Sequence, residues 1–303
     1  MRQQTIGERV FCTGAGLHSG AAVQLGLCPA RADSGIVFVR TDIDPRVEVP
    51  AHSAFLASTN FATTLQRGDV SIGTVEHILS ALYGLGIDNV RVEVDGPEIP
   101  VMDGSAARFV SLIRSAGLLR QRERRRTIQI LRPIEIADND RSIRIDPAPT
   151  FRISYAVDFP HPAIRHQELN LDVVDADRFE NEIAGARTFG FLREVDALRS
   201  AGLALGGTLD NTIVLDDCSV INEDGLRWPD EFVRHKILDL FGDLALLGSW
   251  LQGHVHVEKG GHTLHQRLVS VILSNPDFWR LDHPDERVPS AFANNQLQYA
   301  NSR

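Results

Sequence analysis

His235, Asp239 and Asp243 recur every four residues in PDEFVRHKILDLFGDLALLGSW, read from Pro229. In a helix that spacing puts one imidazole and two carboxylates in a single row. The stretch from Asp230 to Trp250 carries an uninterrupted helical pattern, with Ile237, Leu238, Leu240, Phe241, Leu244 and Leu247 as apolar cover. A polar row on so apolar a helix needs a reason, and an imidazole and a carboxylate one turn apart can both reach one cation. The same pair could be a helix-surface pair or a hydrogen-bonded core pair, so the row needs support from elsewhere in the chain. A second helical pattern, TVEHILSALYG from Thr74, supplies it: Val75, Ile78, Leu79 and Leu82 keep helical spacing, Thr74 is the expected N-cap, and Glu76 and His77 fall in the first turn. If a metal sits between the two helices, its candidate ligands are His77, His235 and Asp239. Two imidazoles and one carboxylate suit catalytic Zn²⁺, which keeps a fourth position for water, and Glu76 could take that water's proton. There is no His-Glu dipeptide in the chain, which excludes the H-E-x-x-H class of zinc hydrolases.

The elements that must position these residues read as α+β. With 303 residues, 43% hydrophobic and 23% charged, the chain suits one large or two ordinary soluble domains. A formal net charge of −9 argues against nucleic acid as the main partner, so an anionic ligand would need local cations. No apolar run reaches the length of a membrane span, and MRQQTIGERV lacks the apolar core of a signal peptide, so a cytoplasmic location without membrane insertion is expected. Cys12, Cys28 and Cys218 are far apart and read as buried small residues or free thiols. No pattern marks a dimer face, and a monomer is expected.

Strands are predicted over 5–12 and 21–29, joined by TGAGLHSG as a hairpin connection, since its spacing is not G-x-G-x-x-G and no helix follows. Further strands are expected over 35–40 and 88–95, and a helix over 107–116. Residues 119–127 carry five arginines, an anion-binding patch or, by preference, a solvated linker, and the domain boundary is placed there. The domains are 1–122 and 127–275, with a polar tail over 276–303. In the second domain strands begin at Thr127, Arg141, Phe151, Thr212 and Gly253. Its helices cover 176–186, part of 191–207, the central stretch and 261–273. Both halves repeat the same order weakly, which suggests two similar α+β domains facing each other, with His77 and His235 meeting at their interface. His18, His254 and His256 read as structural or surface residues, the last two on one strand face with no carboxylate in place.

Long motifs in order then carry a resemblance over about Thr5 to Leu273. They are TGAGLHSG from Thr13, TVEHILSALYGLGIDNVRVEVDGPEIPVMDGSA from Thr74, ARTFGF from Ala186, NEDGLRWPDEFVRHKILDLFGD from Asn222 and GGHTLH from Gly260. The chain resembles the UDP-3-O-acyl-N-acetylglucosamine deacetylases, zinc amidases of lipid A synthesis in Gram-negative bacteria. The resemblance implies a β-α-α-β sandwich with the helices of both domains between two sheets. It implies hydrolysis of the N-acetyl group of a UDP-3-O-(3-hydroxyacyl)-N-acetylglucosamine, with release of acetate. Carried over by position, His77, His235 and Asp239 match the zinc ligands and Glu76 the general base. His262 matches a cationic acid, Asp243 the carboxylate that holds it, and Thr188 a hydroxyl that steadies the oxyanion. Phe189 and Lys236 match contacts to the nucleotide-sugar, and the insert at about 191–212 matches an apolar passage for the fatty acyl chain. Some relatives have a Cys in the loop where this chain has Ala62. The alternatives are a zinc amidase acting on another acylated sugar and a UDP-sugar-binding protein without chemistry. The intact set of base, ligands and His262 with Asp243 speaks against the second.

Overall fold

The computed structural model describes residues 1–172 and 174–282. Its N-terminal half is built on a five-stranded sheet in the order β2 (Val10–Ala15), β3 (Ala22–Pro29), β9 (Val90–Val94), β4 (Ile36–Arg40) and β5 (Val47–Pro50). In β9 the alternation is strict: Val90, Val92 and Val94 are buried, Arg91 and Glu93 half-buried. A three-stranded sheet of β6 (Leu56–Ser58), β7 (Thr64–Arg67) and β8 (Val70–Ile72) leads into α1 (Glu76–Gly84), and α2 (Ala107–Ser115) lies on β2. The strand predicted over 5–12 is two: β1 (Arg2–Ile6) pairs antiparallel with β10 (Leu118–Arg124), while β2 joins the main sheet.

The C-terminal half has a seven-stranded sheet of β11 (Thr127–Ile130), β12 (Ile134–Asp138), β13 (Arg141–Asp146), β14 (Phe151–Phe159), β15 (Arg165–Leu171), β18 (Trp250–Glu258) and β19 (Trp279–Asp282). The centre is β18, which pairs with β11, β13 and β14 and buries Leu251, Gly253, Val255 and Val257 on one face. Before it come α3 (Ala176–Glu182), a small parallel pair of β16 (Phe189–Phe191) and β17 (Ile213–Leu215), α4 (Leu192–Ser200) between them, and α5 (Glu231–Leu244); α6 (His262–Ser274) follows it. α5 rests on β14 and β15, α6 on β12 and β13, and α1 packs against α5. The order is therefore sheet, helices, helices, sheet, as expected, and among the described residues no barrel closes.

Every residue of α1 is buried, because α1 has protein on all sides. Each Ile or Leu sealed there stabilises the fold by about 1.5–3 kcal/mol, which is enough to carry Glu76 and His77 into the interior with them.

Three sequence expectations differ locally. Residues 119–127 are solvated in part but are not a linker: most form β10, where Arg120, Arg122 and Arg124 are exposed, while Arg125 is buried against Asp88, which accepts from its guanidinium at 2.8 Å, and beneath the Trp250 ring. Arg125 reads as solvated with its neighbours because its buried partners lie far away in sequence. Thr74 does not cap α1; its φ of 56° turns its hydroxyl to Glu98 at 2.9 Å, and Val75 holds the N-cap position. The predicted tail begins with a 3-10 turn (Pro276–Phe278) and then β19, paired with β11, and its remainder, 283–303, lies outside the described residues. The TGAGLHSG segment is the expected hairpin connection, and Glu98 clasps it by accepting from the His18 and Ser19 amides, each at 2.8 Å.

Candidate active site

α1 and α5 meet where Gly242 faces Glu76: a Cβ at residue 242 would overlap the Glu76 backbone, so only a glycine permits this approach. The approach sets His77 on α1 opposite His235 and Asp239 on α5. Nε2 of His77 lies 4.0 Å and Nε2 of His235 3.4 Å from Oδ1 of Asp239, and the two rings meet edge to face with centroids 5.2 Å apart. All three side chains are buried. His235 Nδ1 donates to the carbonyl of Ala186 at 3.0 Å, which leaves the Nε2 lone pair free to face inward. Burial drives His77 down to about 3, and the neighbouring His235 adds to this. Burial also lowers His235, although Asp239 pulls the other way. Burial alone would raise Asp239, but the Lys236 ammonium at 2.7 Å and the surrounding imidazoles hold it well below the usual carboxylate range. Two neutral imidazoles and an ionised carboxylate, with donor atoms all within 4.8 Å of one another, form a ready ligand set for a divalent cation. Nδ1 of His77 is buried with no hydrogen-bond partner among the described residues, so no competing hydrogen bond holds that ring out of the set. The donor chemistry fits Zn²⁺.

Beside this group lies a second cluster with the opposite electrostatics. Glu76 Oε2 accepts from the Thr63 amide at 3.0 Å, and burial pushes its carboxyl up to about 7, with His262 opposing and Asp239 assisting. His262 opens α6, where both burial and the helix dipole disfavour a cation. Asp243 and Asp239 overcome them and carry its imidazole up to about 9; Nδ1 meets Asp243 Oδ2 at 2.8 Å and Nε2 lies 3.9 Å from Asp239 Oδ2. Between about pH 7 and pH 9 the pair is therefore an ionised Glu76 and a protonated His262. That is the state required of a general base paired with a general acid.

Sequence reasoning missed the residues that saturate Asp243. Its Oδ1 accepts from the Thr63 hydroxyl at 2.7 Å and the Gln266 amide at 3.0 Å. Its Oδ2 meets His265 Nδ1 at 2.8 Å as well as His262, and the far side of the His265 ring meets the Tyr155 hydroxyl at 3.0 Å. Asp243, His262 and His265 also bring three donor atoms together, but hydrogen bonds already occupy them, so the cluster holds a proton rather than a metal. The available signal was the i, i+3 spacing of the two histidines in GGHTLH, which puts them on one face of α6.

Of the other predicted residues, Phe189 and Lys236 adjoin this centre. Thr188 is anchored through its backbone, its amide donating to Gly104 and its carbonyl accepting from Ile213, each at 2.8 Å. The Phe189 ring stands 6.2 Å from the His235 ring, with Lys236 Nζ 5.6 Å above it. Lys236 also lines a cavity of about 620 Å³ with Arg141, Phe159 and Lys259. The insert touches the hairpin loop, where the amides of Leu205 and Gly206 donate to the carbonyls of His18 and Leu17, and it exposes Leu192, Leu205 and Leu209. His254 and His256 sit away from the site on β18; contrary to expectation a carboxylate is beside them, Asp146 at 3.5 Å from His256.

No helix of the described residues is long and apolar enough to cross a membrane. The family model for UDP-3-O-acyl N-acetylglycosamine deacetylase matches residues 3–274. The chain is 50% identical over 279 residues to the UDP-3-O-acyl-N-acetylglucosamine deacetylase of an Anaeromyxobacter species, covering 92% of this chain and 91% of the relative. It is 47% identical over 296 residues to the protein of the same name from Acidithiobacillus ferrooxidans, covering 97% of each.

Proposed function

This chain belongs to the UDP-3-O-acyl N-acetylglycosamine deacetylase family, and from that premise we propose that it hydrolyses the N-acetyl group of a UDP-3-O-acyl-N-acetylglucosamine in the cytoplasm, acting as a Zn²⁺-dependent monomer. The observation that carries the reading is the juxtaposition, across the α1–α5 contact, of three converging ligand donors with an ionisable Glu76 and a protonated His262.

His77, His235 and Asp239 would hold the zinc, which when bound supplies an acidified water and polarises the acetyl carbonyl. Glu76 would take the proton from the attacking water. The Thr188 hydroxyl and the His262 cation would steady the oxygen on which charge develops. His262 then gives its proton to the glucosamine nitrogen as the C–N bond breaks, leaving acetate and a free amine. Asp243 keeps the His262 ring oriented and charged until that moment. Lys236 and the Phe189 ring offer a cation and an apolar platform for the nucleotide-sugar, and the exposed leucines of residues 191–212 offer an apolar lining for the acyl chain. The domain division at about residues 122–127 belongs to the same reading, with the substrate entering between the halves.

The test is acetate release from UDP-3-O-acyl-N-acetylglucosamine with and without a chelator, then with zinc restored. Activity abolished by chelation and recovered with zinc is the expected result. A folded, zinc-loaded protein that is inert on this substrate and on shorter and longer acyl analogues would overturn the assignment.

A further inference from the structure

One buried ion pair is used by none of these steps. Glu231, in the first turn of α5, is wholly buried, and Arg187, in the ARTFGF segment, is nearly so. The Glu231 carboxylate holds both the backbone and the side chain of residue 187: Oε1 accepts from the Arg187 amide at 3.1 Å and from its Nε at 2.9 Å, and Oε2 accepts from Nη2 at 3.1 Å. The fourth acceptor position takes the Arg227 amide at 2.6 Å, and the remaining reach of Nη2 goes to the Gly225 carbonyl at 2.7 Å. A pair this saturated fixes its backbone rather than merely neutralising charge.

What it fixes lies one residue to either side. The Ala186 carbonyl is the acceptor that orients His235, and Thr188 begins the backbone that carries the proposed oxyanion hydroxyl. Glu231 and His235 are four residues apart on α5, so the contacts close a ring: Glu231 through one helical turn to His235, across its Nδ1 to Ala186, and back through Arg187 to Glu231. We propose that the Arg187–Glu231 pair is a positioning device that sets the Nδ1–H tautomer and ring angle of His235 and, through the same peptide segment, the place of Thr188. An aliphatic pair of equal volume could pack the same space, but it could not grip the residue 187 amide. This inference rests on the functional reading above for its consequence in catalysis, though not for its structural content.

The test uses the whole chain with Arg187→Lys and Glu231→Gln. Lysine keeps the charge and the backbone bond but loses the fork; glutamine keeps the shape and loses the charge. In metal-free protein, the ¹⁵N spectrum of the imidazoles should show His235 as the single Nδ1–H tautomer in the parent and as a mixture in both variants. By chelator competition, zinc affinity should fall roughly 10–100-fold, the range seen when partners of metal-bound histidines are removed. At saturating zinc, kcat should fall about tenfold or more while KM for the nucleotide-sugar stays within about threefold. A lowered Tm with unchanged tautomer, zinc affinity and kcat would reduce the pair to a structural bridge and overturn the proposal. If neither variant folds, the parent spectrum still decides: an Nε2–H or exchanging His235 refutes it. Failure of the deacetylase reading would appear separately, as parent protein that binds zinc with an ordered His235 yet releases no acetate.

Discussion

Replacing Asp243 by Asn should make the acid fail at a lower pH than in the parent. The substitution is isosteric and removes the anion 2.8 Å from His262 Nδ1. Without it, burial and the helix dipole act on His262 with only Asp239 and Glu76 opposing them, and the imidazole falls from about 9 toward or below its ordinary 6.5. That fall corresponds to about 3 kcal/mol of lost stabilisation of the cation. At pH 8 a group titrating at 9 is about nine-tenths protonated and one titrating at 6.5 about one-thirtieth, so the acid-competent fraction drops about 30-fold. At pH 6 both forms are largely protonated, and the same substitution changes that fraction by less than about twofold. Disturbed orientation multiplies both values alike, because Asn cannot accept from His262 and His265 as the carboxylate does. The assay is kcat/KM of parent and variant from pH 5.5 to 9.5, with zinc content checked in each sample. The parent should show a bell, rising as Glu76 ionises through about 7 and falling as His262 deprotonates through about 9. A parent-to-variant ratio that is the same at pH 6 and pH 8 would refute the argument, as would loss of zinc from the variant.

Glu76→Gln keeps the Thr63 amide bond and should lower kcat by about 10²-fold or more with zinc still bound, and its pH profile should lose the rising limb. Asp239→Asn or His77→Ala should strip the metal: elemental analysis after dialysis should find well under one zinc per chain, with activity lost in proportion. Gly242→Ala favours the isolated helix by up to about 1 kcal/mol, yet the added methyl meets the Glu76 backbone, so α1 and α5 must part. The expected outcome is a lower Tm with weakened zinc affinity, and a stabilised, fully active variant would show that the close approach is unnecessary. Trimming the substrate's acyl chain should raise KM sharply if the exposed leucines of the insert cover it, and an unchanged KM would remove that role from residues 191–212.

The candidate site was legible in the sequence because helical periodicity is a local property. His235, Asp239 and Asp243 are bound to share a face of α5 whatever lies around them, and Glu76 and His77 to open α1. What periodicity cannot supply is the distance between two helices about 160 residues apart in sequence. That distance depends on Gly242, an unremarkable residue until the Glu76 backbone is seen against it. The same limit explains the misreadings. Arg125 looks solvated until Asp88 and Trp250 close around it, Thr74 looks like a cap until Glu98 turns it, and His265 looks like one more helical histidine until Asp243 is found beneath it. Each partner lies more than twenty residues away, or on another element, beyond the reach of a pattern argument.

Under the proposed function, the row on α5 also has to satisfy two opposed demands within two turns. A metal needs neutral imidazoles, whereas an acid for a departing amine needs a charged one. The ligand histidines are buried and His262 is only slightly exposed, so burial alone would leave every histidine neutral. The division is made by how the carboxylates are shared. Asp239 spreads its charge over Lys236, His235, His77 and, at 3.9 Å, His262, so neither ligand imidazole gains enough to protonate. Asp243 is shared only with neutral donors and His262, since His265 is itself held below its ordinary value by burial and keeps a single proton on the carboxylate side. The charge that Asp243 offers is then available to His262 alone. Moving the ammonium of Lys236 away should therefore affect the ligand histidines before the acid. A Lys236→Met variant should raise the pH below which zinc is released, by leaving Asp239 free to protonate His235, while leaving the alkaline limb near pH 9 in place. Zinc release that stays at the parent's pH, or an alkaline limb that moves as far as the zinc-release limb, would show that Asp243 is not the main source of charge for His262.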